Sequence, residues 1–296
     1  MRRHAGFARD MALELVPATA EEIPRLSVIC HEAFSALHDR FGIERDVPDA
    51  AVGEMIIAQT VKRRDYTGVM AVLDGRVVGS NFLCFADEVA GVGPITVDPA
   101  VQSKGIGRAL MQWVIDEARR REIRQTRLFQ EALNTTSLSL YTSLGFDWRD
   151  SAALMHAMPA AAADPGVRPL TVDDLPAVAG LSRQAYGFSR AGDAAQLLEW
   201  QVPGFLKQRE GKPVGYLFAT LFGHAGAETD QDLLDLASQA ALHLPPPLAR
   251  FICPLARPAL YRRALASGHR TLKLLSYMSL GDYAAPGGAH FPSIQC

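Results

Sequence analysis

The run from Val97 to Leu110 (Val-Asp-Pro-Ala-Val-Gln-Ser-Lys-Gly-Ile-Gly-Arg-Ala-Leu) holds residue types suited to gripping phosphate. An apolar stretch, Gly93-Pro94-Ile95-Thr96-Val97, reads as a strand and feeds a Gln102-x-x-Gly105-x-Gly107 turn. An amphipathic helix follows, with Ile106, Leu110, Trp113, Val114 and Ala118 on one face. A helix N-terminus leaves backbone N–H groups without intrahelical acceptors and carries partial positive charge, so it attracts anions. Glycine at 105 and 107 removes the Cβ that would hold an anion away. The N–H groups of Gln102, Ser103, Lys104, Gly105, Ile106, Gly107 and Arg108 can hold two phosphates, with Lys104 and Arg108 adding positive charge. A Gly-x-Gly is also an ordinary turn, so the chemistry depends on what accompanies it. No Gly-x-x-x-x-Gly-Lys-[Ser/Thr] surrounds the turn, which sets aside a Walker-type nucleotide site.

Further along, Asn134, Ser137 and Tyr141 have the spacing of one helical face. Each has a plain structural reading as well. Asn134 suits a helix cap, and Tyr141 suits a half-buried ring packed on Phe146. His31 and His38 share one face of an early helix, where they border a possible groove or are ordinary partly buried histidines. No residue spacing suits a metal.

These residues need a scaffold, and the sequence supplies its signals. Leu13 to Val16 reads as a strand, and Thr19 to Glu22 as a capping box before a helix running through Ile23, Leu26 and Ile29 to Phe34. A second helix spans about Pro48 to Lys62. Thr67–Leu73 and Val77–Phe85, joined by Asp74-Gly75, form a hairpin. The helix after Gly105 reaches about Arg121, with Arg119, Arg120 and Arg121 suited to its C-terminal dipole. A strand at Thr126–Phe129, a helix at Asn134–Leu144 closed by Gly145, and a last strand from Phe146 to Met158 complete the series.

The pattern then restarts. Val167-Arg168-Pro169-Leu170-Thr171 parallels Leu15-Val16-Pro17-Ala18-Thr19, and Gly211-Lys212-Pro213-Val214-Gly215 parallels Gly75-Arg76-Val77-Val78-Gly79. Tyr261 to Tyr283 parallels Tyr141 to Met158, which makes Tyr261 the positional counterpart of Tyr141. The period is too long for a solenoid and indicates a duplicated domain. After the strand from Gly215 to Phe222, the second copy has His224-Ala225-Gly226-Ala227-Glu228-Thr229-Asp230-Gln231-Asp232 where the first has its glycine turn. Thr229 should cap a helix whose first turn carries Asp230 and Asp232, and these carboxylates would repel a pyrophosphate. The organisation expected is a flexible leader at 1–10, a domain at 11–158, a linker at 159–166, a second domain at 167–284 and a tail at 285–296. Met11 is a possible alternative start.

Composition narrows the classes. A length of 296 residues exceeds one ordinary core, and 48% hydrophobic residues can fill two. A net charge of −2 argues against general nucleic-acid binding. Cys30, Cys84, Cys253 and Cys296 are too dispersed for a disulfide framework or zinc site and suit a reducing compartment. No apolar run has the length of a membrane span, and the Arg-rich first ten residues lack a signal peptide's apolar core. A cytoplasmic protein with no membrane or nucleic-acid partner is expected.

Taken together, Val97-Asp98-Pro99 with Gln102-x-x-Gly105-x-Gly107, then Asn134, Ser137 and Tyr141-x-x-x-Gly145-Phe146, resemble the GNAT superfamily of N-acetyltransferases over about Leu13 to Met158. The second half resembles the same fold more weakly. The resemblance implies an α/β (mixed α+β) fold of two tandem GNAT-like domains, each a largely antiparallel mixed sheet flanked by helices. It implies acetyl-CoA as the acyl donor and a primary amine of a small molecule or peptide as acceptor. Ile95, Thr96 and Val97 would line the pantetheine arm, with the Val97 N–H polarising the thioester carbonyl. Asn134 and Ser137 would contact the cofactor, and Tyr141 would protonate the departing thiolate. The base that deprotonates the amine would be Glu88 or, second, Glu131. Water relay or an already neutral amine serves as well, and either glutamate also reads as a solvated turn residue. A non-catalytic acyl-CoA sensor is the alternative reading. The doubled domain mimics a dimer within one chain, whether the protein is a monomer or a homodimer.

Overall fold

The structure, a computed structural model, describes residues 12–219 and 221–295. The expected leader, Met11 and Cys296 lie outside the described residues. In chain order the first half runs β1 (Leu13–Pro17), α1 (Ile23–Phe41), α2 (Ala50–Lys62), β2 (Tyr66–Leu73), β3 (Arg76–Cys84), β4 (Ala90–Val92), β5 (Thr96–Val97), α3 (Ile106–Arg120), β6 (Gln125–Glu131), α4 (Thr135–Ser143) and β7 (Asp147–His156). The second half runs β8 (Val167–Pro169), α5 (Leu175–Tyr186), α6 (Ala191–Glu199), β9 (Gly204–Arg209), β10 (Lys212–Phe218), β11 (Ala225–Ala227), α7 (Asp230–Ala241), β12 (Arg250–Pro254), α8 (Pro258–Ala266), β13 (Arg270–Gly281) and β14 (Ala289–Phe291). The residues form two compact units. One holds the described residues to Phe82 together with Pro94–Ile115; the other holds Leu83–Gly93 and the described residues from Asp116 onward.

In the first unit β1 pairs antiparallel with β2, from Leu13↔Leu73 to Pro17↔Val69. Asp74 and Gly75 carry φ of 50° and 77°, the twist a two-residue hairpin turn requires before β3. The start of β3 pairs with β5 through Ser80↔Thr96 and Gly79↔Val97. Val69, Ala71, Leu73 and Val78 from the hairpin bury against Ile106 and Leu110, which seats the start of α3. The capping box expected at Thr19 does not form, because the Thr19 hydroxyl bonds the Glu21 carboxylate instead. The single strand expected over 93–97 is also broken. Gly93 has φ of 128°, and Val92 pairs with Leu83 while Thr96 pairs with Ser80, so one strand carries an extra residue. This is a bulge, which breaks the run into β4 and β5.

In the second unit the end of β3 pairs with β4, and β4 runs parallel to β6 only at Ala90↔Thr126 and Gly91↔Arg127. Beyond β6 the order is β13, β7, β12, all antiparallel. A strand of the second half therefore lies between two strands of the first. The remaining strands form a separate antiparallel sheet, β14-β11-β10-β9-β8. A capping box does form here: Thr171 and Asp174 bond each other's backbone N–H groups. Ala153 and Met155 of β7 share a core with Phe251 and Cys253 of β12, Leu233 and Leu236 of α7, and Phe291 of β14. Phe251 and Phe291 have ring centroids 4.4 Å apart. The region expected as a tail thus includes a strand with a core side chain.

No described helix is long and apolar enough to cross a membrane. Cys30, Cys84 and Cys253 are buried. Burial pushes the Cys30 and Cys253 thiols up to about 12, so they stay protonated and unreactive.

Candidate active site

The residues singled out from sequence fall in both units: Ile95 to Arg108 in the first, and Glu88, Asn134, Ser137 and Tyr141 in the second. In the first unit the turn is built on Asp98. Its backbone N–H reaches the Val78 carbonyl at 2.8 Å, and its side chain accepts from Ala100 N at 2.9 Å and from Arg25 at 2.9 Å. Asp98 thereby ties the turn to β3 and α1. Gln102 donates back to the Val97 carbonyl at 3.3 Å. Ser103 and Gly105 then adopt φ of 67° and 80°. A Cβ on Gly105 would meet nothing within 4 Å, so its backbone angle, not crowding, calls for glycine there. Gly79 is needed for space: a Cβ would stand 2.6 Å from the Thr96 carbonyl oxygen.

The first helical bond after the turn runs from Ala109 N–H to the Gly105 carbonyl, at 3.0 Å. The N–H groups of Ile106, Gly107 and Arg108 precede it at the helix end. Ile106 is buried and anchors this end, while Gln102, Ser103, Lys104, Gly105 and Arg108 are exposed. Thr96 is buried, Ile95 and Val97 are half-buried, and β5 pairs with β3 alone among the described strands. The result is an exposed helix start with two cations, following a short strand that has one paired edge. It suits a pyrophosphate joined to an extended arm.

In the second unit α4 gathers Asn134, Ser137 and Tyr141. The Asn134 side chain caps the helix, accepting from Ser137 N at 3.1 Å and donating to Ser137 Oγ at 2.8 Å. Ser137 in turn bonds the Tyr141 phenol. Burial raises the Tyr141 pKa above the usual tyrosine value and the Ser137 bond opposes it, so the phenol keeps its proton at neutral pH. Tyr141 also packs against Phe146, with centroids 6.4 Å apart. The structural and chemical readings of Asn134 and Tyr141 therefore coexist.

The two carboxylates differ. Glu88 is exposed on the loop between β3 and β4. Glu131 is buried and paired with Lys273 of β13. His31 bonds the Val47 carbonyl at 3.0 Å, and buried His38 accepts from Asp46 N at 3.3 Å. These histidines fasten the segment after α1.

The matching place in the second half is built otherwise. Thr229 caps α7, accepting from Asp232 N at 3.1 Å. Asp230 pairs with Arg257 at 2.6 Å, and Asp232 with Arg209 at 2.6 Å and Lys207 at 3.1 Å. Burial pushes the Asp232 carboxyl up, but hydrogen bonds from Thr229, Lys207 and Arg209 outweigh it and leave the group below the usual carboxylate value. β14 pairs with the edge of β11 that β10 does not use.

Sequence reasoning did not find Arg25, Gly79 or the partners of Asp98 as supports of the turn. The hydroxyl and acids of α7 were visible as a local motif; their cationic partners were not.

Comparison with known proteins agrees with this geometry. Residues 31–146 match the acetyltransferase (GNAT) family model. A stretch of 53 residues, 18% of the chain, is 43% identical to the [ribosomal protein bS18]-alanine N-acetyltransferase of Escherichia coli K12. The match spans 36% of that relative's length. A putative acetyltransferase from Pyrococcus horikoshii shares the fold with TM-score 0.79 at 14% identity, over 100% of this chain and 98% of that one. A GCN5-related N-acetyltransferase from Sphaerobacter thermophilus does so with TM-score 0.61 at 15% identity, over 94% and 97%. A tandem GNAT protein from the clavulanic acid biosynthesis pathway gives TM-score 0.57 at 15% identity, over 93% and 100%. Residues 31–146 thus form a domain of the acetyltransferase (GNAT) family, and nearly the whole chain shares the fold of a tandem GNAT protein.

Proposed function

We propose that the protein transfers an acetyl group from acetyl-CoA to a primary amine of a small molecule or peptide, using the first half alone. The observation that carries this reading is the turn from Gln102 to Arg108. Its positive φ angles at Ser103 and Gly105, exposed helix start and two cations suit a pyrophosphate. Acetyl-CoA, when bound, supplies the acetyl group as a thioester. The β5 edge bonds the pantetheine arm, and the Val97 N–H polarises the carbonyl under attack. Asn134 and Ser137 contact the cofactor. Glu88, directly or through water, takes the proton the amine must lose. The amine nitrogen bonds the acetyl carbon, the carbon–sulfur bond breaks, and Tyr141 gives its phenolic proton to the departing sulfur. Burial supports that role by keeping the phenol protonated until the thiolate forms.

The match of residues 31–146 to the acetyltransferase (GNAT) family supports an amine acceptor. The curated relative acts on a ribosomal protein's alanine, so an alanine-initiated peptide is the first acceptor to try. Calorimetry with acetyl-CoA, followed by thiol release assays over alanine-initiated peptides and small amines, tests the reading. Binding in the micromolar range with turnover supports it. Binding without turnover on any amine would leave a cofactor-binding module, and absence of binding would reject both.

A further inference from the structure

Glu88 lies in the loop 85–89 between β3 and β4, and its neighbours are gripped one by one. Phe85 stacks under the Arg121 guanidinium, 3.9 Å from the ring centroid. Val89 is buried with Ala185, Tyr186 and Phe188 of the second half. Between them the Asp87 side chain, 3% exposed, stands at the start of α6. Its Oδ1 accepts from the backbone N–H groups of Gly192 at 3.0 Å and Asp193 at 3.4 Å. The residue preceding α6, Arg190, makes no side-chain cap, so a carboxylate from the first half caps this helix instead.

Arg190 completes the grip. Its side chain is 1% exposed and lies 3.5 Å from Asp87 and 2.8 Å from Asp193. His224 stands 3.6 Å from Asp193, and its other ring nitrogen is 2.9 Å from the Tyr216 hydroxyl. There is no slack at the contact, since a Cβ on Gly192 would come within 2.1 Å of the Ala86 carbonyl oxygen. Glu88 is the exposed residue of this loop. Buried ion networks add little net stability compared with apolar packing, because desolvation offsets their attraction. Removing one partner is nevertheless costly, because it leaves a buried charge unpaired.

We infer that Asp87 is a positioning residue, clamped by Arg190 and the start of α6, through which the second half aims Glu88 at the acceptor amine. The inference rests on the acetyl-transfer reading and gives the second half a part in the reaction without a cofactor site of its own. Loop 85–89 leads directly into β4, so its position sets where Glu88 stands at the start of that strand.

The test uses the full chain, acetyl-CoA and an alanine-initiated peptide. Asp87→Asn and Gly192→Ala are compared with Gly180→Ala, a helix glycine whose Cβ would meet nothing within 4 Å. Asp87→Asn and Gly192→Ala should each lower kcat/KM for the peptide at least tenfold while changing the acetyl-CoA Kd less than twofold. Gly180→Ala should change neither. In a Glu88→Gln background, Asp87→Asn should cost less than a further twofold, because both act through one group. Losses that multiply in the double variant, or acetyl-CoA affinity that falls in step, overturn the inference.

Hydrogen exchange separates this outcome from failure of the acetyl-transfer reading. Should the native chain bind no acetyl-CoA, that reading falls, and exchange alone judges the clamp. Amides of 85–89 should exchange at least tenfold faster in Asp87→Asn and Gly192→Ala, with β13 amides unchanged. Equal protection of 85–89 in all chains overturns the clamp, and so does β13 exchange that rises with the loop.

Discussion

The starts of α3 and α7 hold the same place in the two repeats, and they treat charge in opposite ways. At α3 the chain offers glycine, positive φ and exposed Lys104 and Arg108, leaving the helix end suited to an outside anion. At α7 it offers Thr229, Asp230 and Asp232, whose carboxylates answer the helix dipole from within and are paired with Arg257, Arg209 and Lys207. The strands before them differ in the same sense. Among the described strands β5 pairs with β3 alone, whereas β11 is flanked on both sides by β10 and β14. A repeated fold can thus keep its architecture while one copy closes the two features that would receive a ligand.

The hardest blow to this contrast is Gly105→Asp, which imposes the α7 solution on α3. It should abolish acetyl-CoA binding by calorimetry, a loss above about 100-fold, through strain at positive φ and repulsion of the phosphates. Binding that survives would place the cofactor in the second half. Next is the closed edge. Phe291 of β14 is 2% exposed, and Phe291→Ala should lower unfolding free energy by about 3–5 kcal/mol in denaturant titrations. A smaller loss would mean that β14 is only laid against the sheet.

Tyr141→Phe should reduce kcat by about 100-fold with the acetyl-CoA Kd unchanged. Its counterpart Tyr261, half-buried and 2.9 Å from Thr271 Oγ1, should tolerate the same change within twofold. The smallest effect concerns the caps. Thr171→Ala should cost about 1 kcal/mol, while Thr19→Ala, which removes no cap bond, should cost less than about half of that. The Arg168 hydrogen bonds, helped by those from Thr171, hold the Asp174 carboxyl at about 2. A folded value below the unfolded one gives stability present above about pH 4 and lost as pH falls toward 2. The stability gap between the native chain and Asp174→Asn, followed by thermal melting, should close over that interval.

Much of this was legible in the sequence because its signals are local. Asp74-Gly75 marks a hairpin, Asn134 a cap, and Gln102-x-x-Gly105-x-Gly107 a helix start, each within a few residues. The interruption at Gly93–Ile95 was not legible, since an apolar run looks alike with or without a bulge. Long-range partners left no local trace either. Nothing near Glu131 announces Lys273, and nothing near Asp87 announces Arg190. The choice of Glu88 over Glu131 therefore gains an argument only when the ion pair on β13 is seen.

The place of β13 also governs the order in which the molecule can be made. β6 and β7 are complete well before the strand that joins them, Arg270–Gly281, has been synthesised. Until then both present unpaired backbone edges, the kind that recruit strands from other chains. A fragment ending near Met158 would keep the phosphate turn and Tyr141 but lack the strand that closes its sheet. Such a fragment should aggregate or borrow that strand from another copy, so the sheet that carries Tyr141 is complete only after β13 has been translated.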